Sequence, residues 1–276
     1  MFAKTWYEPM SRIAHSFIPG AREICRTFTP KIELRSERGG FIIKTASTPQ
    51  EIMSVLRLRY EVFYREFQNK KFPVGIDLDS YDRQADHLII IDTKSEAVVG
   101  TYRLISSRFS KTFYSESEFE LGEFLSTPTR KLELGRACIH KNYRTGFMIS
   151  LLWRGVSEYA RLADAQILFG CTSVKTMDPV KIAQILAYLD GMSARSHNPK
   201  IVPTKNYRVP MLEVARAELE DYQGKELIPP LLESYIKMGG KVLGDPALDR
   251  DFKCTDLFTV LDLTAMNSRF ERRYVS

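Results

Sequence analysis

Lys131-Leu132-Glu133-Leu134-Gly135-Arg136-Ala137-Cys138-Ile139 reads as a strand, yet a glutamate and an arginine sit among its apolar residues. A charge in such a place must be paired or must serve a site, because its desolvation alone is too costly. Strict alternation sends Glu133 and Arg136 to opposite faces of the sheet, since three residues is an odd step. Gly135 lies between them, and a strand glycine often marks a bulge. A bulge at Gly135 predicts that both side chains reach one cleft.

Two further strands are predicted upstream, over 88–91 and 97–105, joined as a hairpin through Asp92-Thr93-Lys94-Ser95. The second contains Gly100-Thr101-Tyr102-Arg103-Leu104, again with an arginine in an apolar run. Before them, Thr48-Pro49-Gln50-Glu51 predicts a helix start, with Thr48 as N-cap, proline in the first turn and Glu51 closing a capping box. Ile52, Leu56, Arg59 and Phe63 then share one helical face. Asp77-Leu78-Asp79-Ser80-Tyr81-Asp82 forms a loop placed to close over the same cleft. On the residues alone, ordinary turn chemistry explains an aspartate-rich loop better than a site does. Phe41-Ile42-Ile43 opens the first strand after Gly39-Gly40. Downstream the pattern predicts helices over 147–162, 180–189 and 227–238, and strands over 167–170 and 257–263. Periodicity alone gives an α/β or α+β fold class.

The combination of Arg59 and Phe63, Asp79 and Asp82, Arg103, and Glu133 with Arg136 resembles the acyl-homoserine-lactone synthase branch of the GNAT N-acyltransferases. The chain is more similar still to that branch's lipid-making relatives, the "hemolysin-like" ornithine N-acyltransferases. The resemblance runs from about Thr48 to Val174 and resumes in the segments 235–242, 244–247 and 249–252. It implies a mixed sheet with helices on both faces, in a single GNAT-type domain over 40–276 with a C-terminal extension. An N-terminal arm over 1–39 precedes it. The implied activity is transfer of a long-chain, often 3-hydroxy, acyl group to the amine of an amino acid, ornithine first among them, giving a lyso-ornithine lipid. The donor would be the acyl-phosphopantetheine thioester of acyl carrier protein, with no bound cofactor and no metal.

In this reading Glu133 is the candidate general base, or the anchor of the water that accepts the amine proton. An α-amino group is largely protonated at neutral pH and must lose a proton before or during attack. An ion pair of Glu133 with Arg103 or Arg136 is the structural alternative. The resemblance places Arg103 and Arg136 beside it in the catalytic cleft, with Arg59, Phe63, Asp79 and Asp82 as acceptor-binding residues. Carboxylates suit an ammonium, and guanidinium forks suit a carboxylate. The match at Asp77 is weaker. Arg144 and Gly146, in Tyr143-Arg144-Thr145-Gly146-Phe147, stand where acetyl-CoA-using relatives carry a glycine-rich pyrophosphate loop. The loop is reduced here, as suits the single phosphodiester of a carrier-protein arm. Lys141, Arg144 and Arg154 are candidates to meet acidic residues of the carrier, or simply form a solvated helix end. Leu151-Leu152-Trp153 and Phe169-Gly170-Cys171-Thr172 are expected to line an acyl channel.

The chain has 276 residues, 44% hydrophobic, enough for one substantial core. A charge of +6 is modest, so nucleic acid is not the expected partner, whereas an acidic carrier or an anionic membrane surface fits. Cys25, Cys138, Cys171 and Cys254 are widely spaced and read as reduced thiols of a cytoplasmic protein. No stretch approaches the roughly 20 apolar residues of a membrane span. Phe2, Trp6, Met10, Ile13 and Phe17 form a helical stripe near Lys4 and Arg12. Peripheral contact with the inner face of the membrane and packing on the domain explain that stripe equally. Two rivals remain. An acyl-homoserine-lactone synthase using S-adenosylmethionine would share the core, but those synthases usually carry a tryptophan after the first helix, where Phe67-Gln68-Asn69-Lys70 stands. A non-catalytic carrier- or lipid-binding module would have no reason to retain Glu133, Arg103 and Arg59.

Overall fold

The computed structural model describes Ile24 and residues 27–217 and 224–265. The Phe2-to-Phe17 stripe and Cys25 lie outside these residues. The strands are β1 (Arg35–Arg38), β2 (Phe41–Thr45), β3 (Asp86–Asp92), β4 (Val98–Ser106), β5 (Phe119–Glu120), β6 (Lys131–Ile139), β7 (Ile167–Val174), β8 (Arg195–Ser196), β9 (Val202–Pro203), β10 (Lys241–Leu243), β11 (Ala247–Asp249) and β12 (Cys254–Asp262). The α-helices are α1 (Pro49–Tyr60), α2 (Gly122–Ser126), α3 (Gly146–Leu162), α4 (Pro179–Gly191), α5 (Leu212–Ala217) and α6 (Pro230–Lys237). One mixed sheet runs β1-β2-β3-β4-β6-β7-β12-β10-β8, with β11 also paired to β12.

Alternation along β3 explains why helices cover both faces. Leu88 and Ile90 join the cluster under Leu151, Val156 and Tyr159 of α3. Ile89, between them, packs with Ile52, Val55 and Leu56 of α1. A Cβ on Gly155 would lie 2.8 Å from Ile43 and Leu88 carbons, so this glycine lets α3 settle closely onto β2 and β3. At the start of α1, Thr48 Oγ1 accepts from the Glu51 amide at 3.2 Å, and a Glu51 carboxylate oxygen accepts from the Thr48 amide at 3.1 Å. This is the capping box expected from the sequence. After Tyr60 the helix widens into a π-helical turn over Glu61–Glu66, which carries Phe63.

Several expectations change. The sheet begins at Arg35, inside the segment expected to be an arm, because β1 pairs antiparallel with β2. The strand expected to end at Gly170 continues to Val174, since β12 offers it a full antiparallel partner from Ile167 to Val174. The last strand likewise starts at Cys254 rather than Leu257. The C-terminal segment is therefore an integral part of the sheet. Leu151, Leu152 and Trp153 are buried core rather than channel wall, with Trp153 packed edge-on against Tyr235. No helix of the described residues is long and apolar enough to cross a membrane.

Candidate active site

Parallel pairing of β6 with β7 covers only three residue pairs, Lys131 with Ile167, Leu132 with Leu168, and Glu133 with Phe169. Both strands run on past that point, so they form a fork whose apex is Glu133. Gly170 lies just past the apex, and a Cβ there would meet the Leu134 carbonyl oxygen at 2.2 Å. Only glycine fits so close to the neighbouring backbone.

The bulge expected in β6 is present, one residue later than predicted. Between Thr101 and Arg103 of β4 the facing residues of β6 step from Cys138 to Gly135, so β6 carries the extra residue. Arg136 adopts φ 52°, the left-handed conformation that takes up this extra residue. Its guanidinium then turns to the side that Arg103 occupies. Arg136 and Arg103 both lie over the Tyr114 ring, at 5.1 and 5.3 Å from its centroid.

Three arginines and three aspartates make one buried network beside the fork. Arg59, from α1, donates through Nε to Asp77 at 2.7 Å and through Nη1 and Nη2 to the two oxygens of Asp82 at 2.6 and 3.2 Å. Arg103, from β4, donates to both oxygens of Asp79 at 2.7 and 2.6 Å and approaches Asp82 at 3.4 Å. Arg136 donates to Asp79 at 3.1 Å, and its Nε lies 3.4 Å from Asp77. Burial opposes ionisation of Arg59, Asp77, Asp82 and Arg136, but their partners prevail. Arg59 and Arg103 hold the Asp82 carboxyl well below its usual range, and Asp82 with Asp77 keeps Arg59 firmly charged.

Asp77, the weakest match in the sequence, is a full member of the network. The turn-chemistry explanation of this loop holds as well. Asp79 caps the short 3₁₀ turn Ser80–Arg83, and Asp82 closes the capping box back to the Asp79 amide. His87 of β3 lies 4.0 Å from Asp82 with both ring nitrogens buried and unbonded. Burial lowers its pKa to about 4, so the ring is neutral at pH 7. The Nη2 of Arg103 also has no partner, leaving one donor uncommitted next to Gly135.

Glu133 makes no ion pair with Arg103 or Arg136 within 4.0 Å, which removes the structural alternative raised by the sequence. Its oxygens accept instead from the backbone amides of Tyr114 and Ser115, at 2.8 and 2.7 Å. Burial pushes its carboxyl up despite these bonds and the adjoining Ser115 hydroxyl. Phe63 lies at the rim, edge-on to Phe252 from the C-terminal segment. Arg144 is tied to Glu66, with Nη2 to oxygen at 2.7 Å, and its Nε donates to the Ile139 carbonyl. Gly146 opens α3 behind the N-cap Thr145, with open space where a Cβ would point.

Sequence reasoning missed a second group on the other side of Tyr114. Glu118, Asp256 and Asp249 are all buried. Neither Glu118 oxygen nor Oδ1 of Asp256 has a hydrogen bond of good geometry, although the Tyr114 phenol and the Asp256 carboxyl both adjoin Glu118. Burial and the neighbouring Asp256 push Glu118 well up, and burial raises Asp256 to about 6. Asp256 carried a legible signal, a charge inside the apolar run Cys254-Thr255-Asp256-Leu257-Phe258. Glu118 did not, because Glu116, Glu118 and Glu120 look like a solvated stretch.

A family model described as an acetyltransferase (GNAT) domain matches residues 58–154, which holds the whole arginine–aspartate network and Glu133. Proteins named L-ornithine N(alpha)-acyltransferase from Rhizobium meliloti and Rhodobacter capsulatus are each 31% identical to this chain. The alignments span 246 and 244 residues, 84% of this chain in both cases and 83% and 93% of the relatives. The chain belongs to the L-ornithine N(alpha)-acyltransferase family. It is an acyltransferase of GNAT type, and its mixed α/β sheet is the one the sequence implied. A solved structure titled as the AHL synthase LasI is 13% identical, with TM-score 0.49, covering 85% of this chain and 94% of that one.

Proposed function

We propose that this acyltransferase joins a long-chain 3-hydroxyacyl group to the α-amine of L-ornithine, taking the acyl group from the phosphopantetheine thioester of acyl carrier protein. The observation that carries the reading is the fork. β6 and β7 part at Glu133, where their ladder ends, and the gap they leave suits an extended pantetheine arm. In this position the thioester carbonyl would meet backbone N–H groups that stabilise the oxyanion as it develops. The amine lone pair attacks the carbonyl carbon, the C–S bond breaks as the carbonyl re-forms, and the second amine proton passes to the departing sulfur, which leaves as the thiol of the carrier's pantetheine arm. Glu133 accepts the proton that the ammonium must lose. Burial raises its basicity, which suits that task.

The acceptor's carboxylate has a ready partner in the unbonded Nη2 of Arg103. The aspartates Asp77, Asp79 and Asp82 are each held by an arginine, so the network orients Arg103 and Arg136 rather than offering a free anion. Arg144 and Gly146 lie at the open start of α3, and Lys141, Arg144 and Arg154 are the cations proposed to meet the carrier. The family relationship supports ornithine as the acceptor through the names of the relatives. The reduced loop after Tyr143 supports the carrier as donor. Such an enzyme would work in the cytoplasm, at the inner face of the membrane that receives its lyso-ornithine lipid product.

The test uses purified protein with L-ornithine and either 3-hydroxyacyl-carrier protein or the matching acyl-CoA, the product read by mass spectrometry. N-acyl ornithine formed preferentially from the carrier, with a rate that falls as salt rises, is the expected result. Equal use of acyl-CoA would refute the carrier as donor, and acylation of other amino acids but not ornithine would refute the acceptor.

A further inference from the structure

Glu118 follows the 3₁₀ turn Tyr114–Ser117 on the same turn whose first amides cap Glu133. Across from it, Asp256 projects from β12 at the position paired with Ser173 of β7 and Ala247 of β11. Glu118 is fully buried and its two oxygens accept no aligned hydrogen bond, although the Tyr114 phenol adjoins it. Two carboxyl groups this close hold no donor between them unless they share a proton. Among the described residues neither forms an ion pair, and the Arg136 charge reaches Asp256 only at a distance. Buried carboxylates left without a cation are costly, and proteins keep them where a ligand supplies the missing charge.

Resting on the reading of this enzyme as an ornithine N-acyltransferase, we propose that Glu118 and Asp256 form the subsite for the side-chain ammonium of a cationic amino-acid acceptor. The separation of the poles fits. Tyr114 carries Arg103 and Arg136 on its ring and has Glu118 at its phenol end. One tyrosine side chain therefore divides the guanidinium pole, which takes the acceptor's carboxylate, from the acidic pole. That is the scale of a single amino acid. An ammonium entering the acidic pole would displace the shared proton and give the unpartnered oxygens their donors.

A divalent metal is the other cation such carboxylates could hold. Asp249, Cys254 and Asp256 bring ligand atoms within 4.8 Å of one another. That trio leaves out Glu118, which has both oxygens unpartnered. It also includes Asp249, whose Oδ1 already accepts the amides of Asp251 and Phe252 at 2.8 and 2.9 Å. The unsatisfied acceptors thus point to the pair and away from the trio.

The test compares L-ornithine with L-norvaline, the same chain without the terminal amine, by kcat/KM and by thermal stabilisation of the protein. The wild type should prefer ornithine by a factor on the order of 10² or more, as buried charge recognition does. Glu118→Gln and Asp256→Asn should each collapse the ratio at least about tenfold and remove the extra stabilisation by ornithine. Equal kcat/KM for the two amino acids in the wild type would overturn the subsite and leave amino-acid acylation intact. If neither is acylated, yet ornithine alone stabilises the wild type and not Glu118→Gln, the transfer reading fails and the subsite stands. A stoichiometric metal, whose removal by chelator abolishes the ornithine preference, would overturn the ammonium assignment.

Discussion

Tyr114 separates two buried charged regions built on opposite principles. On its ring side, Arg59, Arg103 and Arg136 meet Asp77, Asp79 and Asp82, three charges of each sign, with the aspartates' partners within 3.4 Å. On its phenol side, Glu118 and Asp256 have no cation of their own. The first region is balanced in charge without substrate, with Nη2 of Arg103 and Nε of Arg136 left without a hydrogen bond. The second has no counter-charge in an ion pair among the described residues, as the proposed ammonium subsite requires. A balanced buried network shows what holds the site in place, and an unbalanced one shows what the site takes in.

The balanced side should break hardest. Arg59→Met leaves Asp77 and Asp82 buried without their main donor, and urea unfolding should show a loss of about 3–5 kcal/mol. A loss under ~1 kcal/mol would mean that Arg103 and Arg136 alone neutralise the aspartates.

His87 tests the same region through pH. The unfolded chain binds a proton near pH 6.5, but the folded chain refuses it until about pH 4. More protons are bound unfolded than folded across that window, so stability falls as pH drops through it, by about 3 kcal/mol for this group. His87→Gln should remove that part of the fall. Asp256, raised to about 6, acts in the opposite sense over part of the same range, because there the folded state binds the extra proton. The difference between variant and wild type therefore isolates His87. Identical pH dependence of the two proteins would show that the folded ring takes its proton as readily as the unfolded one.

The unbalanced side should respond with the opposite sign and least strongly. Glu118→Gln removes one of two facing carboxyls and supplies an amide donor to Asp256. With no amino acid present at pH 7, it should raise stability by about 1–2 kcal/mol, the usual exchange of stability against function at a ligand site. A destabilised variant would mean that Glu118 is already satisfied in the free enzyme.

The parts that sequence made legible are those governed by local rules. Thr48 and Glu51 announce the capping box, and β6 was bounded from Lys131 to Ile139 by its apolar pattern. The arginines at 59 and 103 stood out because charge in an apolar run demands a partner. What stayed hidden depends on pairing at long range. β8, β10 and β11 have two or three residues each and exist only because neighbouring strands satisfy their backbones. The glycine at 135 points to a bulge one residue too early. The register shows that the extra residue is accommodated at Arg136, while Gly135 stays paired opposite Arg103. Glu118 is hidden in the sequence by its acidic neighbours, because its burial beside Asp256 of β12 depends on long-range packing.

The role of Glu133 at the apex of the fork is tested most directly by single-turnover acyl transfer to ornithine across pH, in wild type and Glu133→Gln. Gln keeps an acceptor for the Tyr114 or Ser115 amide but takes no proton. The variant should bind the acceptor and lose a factor on the order of 10² to 10⁴ in rate, with the pH dependence of the chemical step removed. A variant with wild-type rate and an unchanged pH–rate profile would contradict the assignment and leave Glu133 as the anchor of the Tyr114 turn alone.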